Sequence, residues 1–230
     1  MNNGFFVNVE NFAYFLQKTA KIPILICRKS QEVLHMTQES RQGCLIMAAG
    51  NAARFGENKL LASFAGSSLF ELALAAVPQE LFSMVTVVSQ YEPLLEKTRQ
   101  AGLHAILNDR PDDGISRTIR LGTTAMAECS GILYMVADQP LLQADTIRRI
   151  VHAWQAQPSC IVGAAHDGHR GNPCLFPAGF FPELCALTGD RGGSSVIRRH
   201  EDALVLVQTD AQELFDCDTR QALDILRGRV

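Results

Sequence analysis

Residues 131–140 read GILYMVADQP. From Ile132 to Ala137 the run is apolar without the polar alternation of a half-exposed strand, the pattern expected of a strand covered on both faces of a parallel sheet. It ends on Asp138, and a carboxylate at the end of a central strand is costly to bury unless it meets a cation or forms a pair. The plainer reading of Asp138 is a turn or N-cap residue ahead of Pro140.

Short apolar, β-rich runs alternate with amphipathic helical stretches on both sides of this segment. The runs predict strands over 44–48, 84–88, 104–107, 131–137, 159–164, 174–176 and 203–208. Helices are predicted over 68–77, 92–101, 115–127, 144–155, 179–187, 193–200 and 219–227. Alternation of this kind implies a mostly parallel sheet with helices on both faces, and ligands in such sheets bind beyond the carboxyl ends of the strands. Residues 1–43 do not join the pattern and read as an N-terminal extension of unknown role, an added edge element or arm; residues 44–230 form the domain.

Composition limits the function classes. The 230 residues carry a formal net charge of −3, so no basic field attracts nucleic acid or an anionic membrane, and an anionic ligand must be met by local charges and a metal. Cysteines 27, 44, 129, 160, 174, 185 and 217 form no C-x-x-C pair, which argues against a zinc or redox motif and for reduced thiols filling the core. No apolar run reaches the roughly 18–20 residues of a membrane span, and no secretory signal pattern opens the sequence, so a cytoplasmic location is expected.

The strongest chemical signal follows the first strand: CLIMAAGNAARFGENKLL, residues 44–61. The small residues Ala48, Ala49 and Gly50 let backbone approach a ligand closely, and successive N–H groups in such a turn cradle phosphate oxygens. Arg54 and Lys59 add two positive charges suited to a triphosphate, although the segment reads equally as a plain strand-to-loop turn with solvated charges. The register is neither that of a Walker A loop nor of G-x-G-x-x-G. A second acidic site lies in LFDCDT, residues 214–219, where Asp216 and Asp218 precede the last helix; Asp218 reads equally as its N-cap. His166 and His169 flank Asp167 in a stretch better read as a polar loop than as a metal site, since no third ligand is specified. Trp154 and Tyr134 read as core residues.

Together these segments resemble the MobA-like nucleotidyltransferases, and within them the molybdenum cofactor cytidylyltransferase (MocA-like) branch. The family's small-A-G-x-x-x-R-x-G-x-x-K opening is matched by Ala49, Gly50, Arg54, Gly56 and Lys59, and its D-x-P segment by Asp138-Gln139-Pro140. Gly171-Asn172-Pro173 matches the branch's G-[HN]-P element, and TGDRG stands at 188–192. GISRTIRLG, residues 114–122, is similar to the family's Ser-rich helix start, and places Thr118 and Gly122 near the nucleotide base. The D-x-D-T-P-x-D tail is present only as Asp216-Cys217-Asp218-Thr219, without the Pro or the final acid.

The resemblance implies a single Rossmann-like three-layer α/β/α domain. It implies Mg²⁺ held by Asp138 and Asp216, and a triphosphate in the 48–59 loop with Arg54 and Lys59 on the departing pyrophosphate. An acceptor is expected at Gly171, Asn172, Pro173, Asp190 and Arg191. For substrates it implies molybdopterin and CTP, the base choice resting on A-A-G where the guanylyl branch has A-G-G, with the product serving an apo molybdenum hydroxylase of the xanthine dehydrogenase type. GTP as donor, a sugar- or polyol-phosphate acceptor, and a non-catalytic cofactor carrier are the rival readings; a carrier has no need of a pyrophosphate clamp.

Overall fold

A computed structural model describes residues 41–50 and 58–228. Strands β1 (Gln42–Met47), β4 (Met84–Ser89), β5 (His104–Leu107), β6 (Gly131–Val136), β7 (Ile161–His166), β8 (His169–Pro177) and β9 (Leu204–Gln208) form one sheet in the order β5-β4-β1-β6-β8-β7-β9. A separate ribbon pairs β2 (Ser63–Phe64) with β3 (Ser67–Ser68). The helices are α1 (Leu69–Ala75), α2 (Glu92–Gln100), α3 (Ile115–Ala125), α4 (Ala144–Ala156), α5 (Phe181–Cys185), α6 (Ser194–Ile197) and α7 (Arg220–Arg227).

All seven predicted strands are present, and the mostly parallel sheet is as expected. β1 pairs in parallel with both β4 and β6. The exception is β8, antiparallel to β6 and β7. It starts at His169 instead of 174 because Asp167 and Gly168, at φ 47° and 79°, make a two-residue hairpin turn. The expected polar loop around His166 and His169 is therefore the tip of this hairpin. The first strand also begins early: Gln42 and Gly43 lie opposite Gly131 and Ile132 of β6. Expected helix 179–187 is shorter, a 3₁₀ turn over Ala178–Phe180 followed by α5.

Period-two side-chain direction sorts the core into two layers. Cys44, Ile46, Leu133 and Met135 face one side, packing with Phe70 of α1, Leu94 of α2, and Ile150 and Trp154 of α4. Leu45, Ile132 and Tyr134 face the other, against Ile119 of α3, Leu184 of α5 and Val196 of α6. Each large aliphatic or aromatic side chain so covered contributes about 1.5–3 kcal/mol. Tyr134 Oη shares a hydrogen bond of 2.8 Å with Thr123 Oγ1 and its ring meets Phe176 edge-on. The six described cysteines are free thiols, five of them buried. A third cluster joins the β2–β3 ribbon to α7 through Phe64, Leu69, Leu223 and Leu226, with Cys217 wholly buried among them. No helix among the described residues is long and apolar enough to cross a membrane.

Candidate active site

The carboxyl ends of β1 and β6 open into a cavity of about 430 Å³, within the size range of small-molecule sites. Its wall carries Ala48, Ala49, Gly50, Lys59, Thr118, Asp138, Asp190 and Asp218, eight of the residues singled out from sequence. The turn after β1 is firmly held. Ala48 N–H donates to the Val88 carbonyl at 2.9 Å, Ser89 Oγ donates to the Ala48 carbonyl, and Gln90 Nε2 to that of Ala49. A Cβ added at Gly50 would meet nothing within 4 Å, so the backbone there borders open space. Arg54 and Gly56 lie outside the described residues.

Lys59 follows the described Asn58, whose side chain caps the 3₁₀ turn Lys59–Leu61. Its Nζ donates to Asp138 Oδ2 at 2.5 Å and to Asp218 Oδ1 at 2.7 Å. Burial opposes the charge on Lys59, but the two carboxylates, Asp138 foremost, outweigh it and hold the ammonium above the ordinary lysine range. Asp218 thus lines the first cavity beside Lys59. The α7 N-cap is Thr219, whose side chain accepts from Ala222 N–H. The sequence offered Asp and Thr side by side, and both are good caps.

Asp216 and Asp218 sit on either side of Cys217, which is fixed by burial and by its N–H donating to the Asp138 carbonyl at 2.8 Å. Around this anchor the two carboxylates diverge. Asp218 faces the first cavity; Asp216 accepts from Gln139 Nε2 at 2.9 Å and lines a second, of about 480 Å³. His166, His169, Arg170, Gly171 and Asn172 line that second cavity too. Partial burial, and then the negative charge of Asp138, push the Asp216 carboxyl above the usual carboxylate range.

The acceptor residues expected from sequence are divided. Gly171 and Asn172 line the second cavity, and Pro173 is buried within β8. Asp190 lines the first cavity instead, because its loop docks on the start of α3: Ser116 N–H donates to the Gly189 carbonyl at 3.1 Å. Arg191 is exposed and lines neither. Gly122 faces the core from α3, where a methyl would come within 2.4 Å of Leu45, and so serves helix–sheet packing away from the cavity. Thr118 is buried, its hydroxyl accepting from Asn108 Nδ2 at 3.2 Å.

Two oxygens of consecutive residues, Asp138 Oδ1 in the lining of the first cavity and Gln139 Oε1 in that of the second, are buried without a protein partner. Among the described residues no group of three or more His, Cys, Asp and Glu side chains is arranged to hold a metal. Mg²⁺ characteristically takes one or two carboxylates and completes its shell with substrate phosphates and water. Unpartnered oxygens beside Asp138 and Asp216 fit that mode.

The mostly parallel sheet, with aspartates and a lysine beyond its carboxyl edge, has the α/β nucleotidyltransferase fold. The chain belongs to the MobA-like NTP transferase domain family, whose model matches residues 44–204. It is 25% identical over 198 residues to purine catabolism protein PucB of Bacillus subtilis (strain 168), covering 80% of this chain and 94% of PucB. Rv0371c from Mycobacterium tuberculosis H37Rv shares the fold at a TM-score of 0.70 and 21% identity, covering 82% of this chain and 98% of that one. The same protein is also known as a manganese complex. Mth528, a nucleotidyl transferase from Methanothermobacter, superposes with a TM-score of 0.70 at 20% identity, over 82% of this chain and 97% of its own.

Proposed function

We propose that this nucleotidyltransferase moves CMP from CTP onto molybdopterin, as its molybdenum adduct, releasing pyrophosphate. The observation that carries the reading is a pair of cavities lined by the consecutive Asp138 and Gln139, the first holding the small-residue turn and Lys59, the second Arg170, Gly171, Asn172 and Asp216. A transferase needs donor and acceptor on opposite sides of the transferred phosphorus, and two separate cavities are consistent with that need.

In this reading the 48–50 turn and Lys59 bind the triphosphate, with Arg54 from the same loop. Asp138 and Asp216 hold Mg²⁺, which when bound neutralises phosphate charge. The manganese complex of Rv0371c is consistent with a divalent ion in this fold. An oxygen of the acceptor's terminal phosphate attacks the α-phosphorus, a new phosphoanhydride forms, the bond to the β-phosphate breaks, and pyrophosphate leaves. Lys59 then shifts its charge from the two aspartates to the departing pyrophosphate. Positioning and charge stabilisation supply most of the acceleration, so the site has no need of a protein nucleophile.

CTP is favoured over GTP by Ala49, whose methyl narrows the space beside the turn and disfavours the larger purine. The acceptor reading rests on the family motifs and on PucB, whose name places that relative in purine catabolism; oxidation of purines is chemistry of molybdenum hydroxylases of the xanthine dehydrogenase type. The test is pyrophosphate release with each of CTP, GTP, UTP and ATP, in Mg²⁺, with and without molybdenum-loaded molybdopterin. Release that needs both CTP and the cofactor supports the proposal; equal use of GTP overturns the base assignment, and release with sugar phosphates alone overturns the acceptor.

A further inference from the structure

Asp190 stands apart from the other acids of the first cavity. No hydrogen bond or ion pair engages it among the described residues, and it does not join Asp138 and Asp218 in a group able to hold a metal. Its place is set by close backbone packing. An ideal Cβ on Gly114 would lie 2.4 Å from the Gly189 carbonyl oxygen and 2.7 Å from Asp190 Oδ1, so only glycine at 114 lets the loop seat here. The Gly189 carbonyl then takes the N–H of Ser116 in the first turn of α3.

The lining of the cavity therefore includes two chemically different groups. One carries Lys59 between Asp138 and Asp218, beyond β6 and ahead of α7. The other is built by Pro111, Gly114 and Ile115, from the connection between β5 and α3, and by Asp190. If Lys59 holds the triphosphate, the remaining lining, Asp190 included, is left to the nucleoside. A carboxylate outside a metal's shell repels a polyphosphate and stabilises bound nucleotide by accepting hydrogen bonds from its neutral part.

We infer that Asp190 is a base-reading residue, its carboxylate accepting a hydrogen bond from the exocyclic amine of the nucleotide. Cytosine presents a 4-amino donor where uracil presents a carbonyl oxygen, which a carboxylate repels. The loop 188–192 thereby discriminates CTP from UTP, a distinction that the methyl of Ala49 cannot make by size. This inference rests on the reading of the cavity as an NTP site.

The test compares wild type with Asp190→Asn and Asp190→Ala in pyrophosphate release with CTP, UTP and 2′-deoxy-CTP, alongside equilibrium binding of each nucleotide. Asparagine is nearly isosteric and its amide can donate to the uracil O4, so D190N should lower the CTP-to-UTP preference by about ten- to hundred-fold, the span of one good base-edge hydrogen-bond pair. D190A should lose the preference without gaining UTP use. An unchanged CTP-to-UTP ratio in both folded variants overturns the inference, and so does a loss confined to discrimination between CTP and its deoxy form, which would place Asp190 on the ribose. Wild type that turns over no NTP would overturn the NTP-site reading itself, a separate outcome.

Discussion

Lys59 Nζ lies 2.5 Å from Asp138 Oδ2, so two residues 79 positions apart meet where β1 and β6 run side by side. The ammonium sits against Asp138, which in the proposed function serves the metal, and against Asp218. Lys59 is thus a charge with two stations, the aspartates in the free protein and the polyphosphate in the complex. Replacing it with Ala should weaken NTP binding and slow the chemical step together, by about 10²-fold in kcat/KM. Nucleotide titration and single-turnover pyrophosphate release check this; wild-type values for both would show Lys59 to be only the aspartates' counter-ion.

Asp138→Asn should lower the transfer rate at least ~10²–10³-fold, because the side chain loses the charge that would hold the ion and stabilise the transferring phosphate. Mn²⁺ binding followed by electron paramagnetic resonance should weaken in parallel for Asp138→Asn and Asp216→Asn. Unaltered ion binding in both variants would contradict the assigned pair.

Gly114→Ala should be destabilising although the residue lies outside every helix and strand. Its φ of 81° and ψ of −176° belong to a region reserved for glycine, and the added methyl would strike the Gly189 backbone. A loss of about 1–3 kcal/mol is expected, with weaker NTP binding as loop 188–192 is displaced. Denaturant titration and nucleotide binding of the variant measure the two effects.

Acid should weaken the α1 capping box. Glu71 accepts from Ser68 N–H and Oγ at 2.8 Å and pairs with Lys97; the Lys97 hydrogen bond first, then those from Ser68, lower its pKa to about 2. A carboxylate depressed on folding contributes stability above its unfolded pKa of about 4.3 that is lost as pH falls toward its folded one. Ser68→Ala should cost about 1 kcal/mol at neutral pH. The Tm gap between wild type and Glu71→Gln should shrink from pH 6 to pH 2.5, and a gap constant over that range would refute the assignment.

Ala49→Gly should raise turnover with GTP without matching that with CTP, because the alanine methyl is one wall of the space beside the turn and other walls remain. Matched assays with the two nucleotides decide it; no gain with GTP would mean that the purine is excluded elsewhere.

The sequence by itself determined the sheet, because continuous burial of residues such as Ile132–Met135 is written into local apolarity, and because a small-residue turn and a terminal aspartate need no distant partner to be recognised. What local pattern could not carry was direction around a loop. Asp216 and Asp218 are separated by one residue, and only the burial of Cys217 against Phe64, Leu69 and Leu223 turns one toward each cavity. Gly122 reads like a nucleotide-side glycine until Leu45 is seen to fill the space above it. The loop at 188–192 follows α5 in sequence and was expected beside Gly171 and Asn172. Its docking on Gly114, 75 residues earlier in the chain, brings Asp190 into the first cavity instead. Contacts between segments so far apart depend on how two helices stack on one face of the sheet, which is decided by packing among side chains and not by the pattern of any single segment.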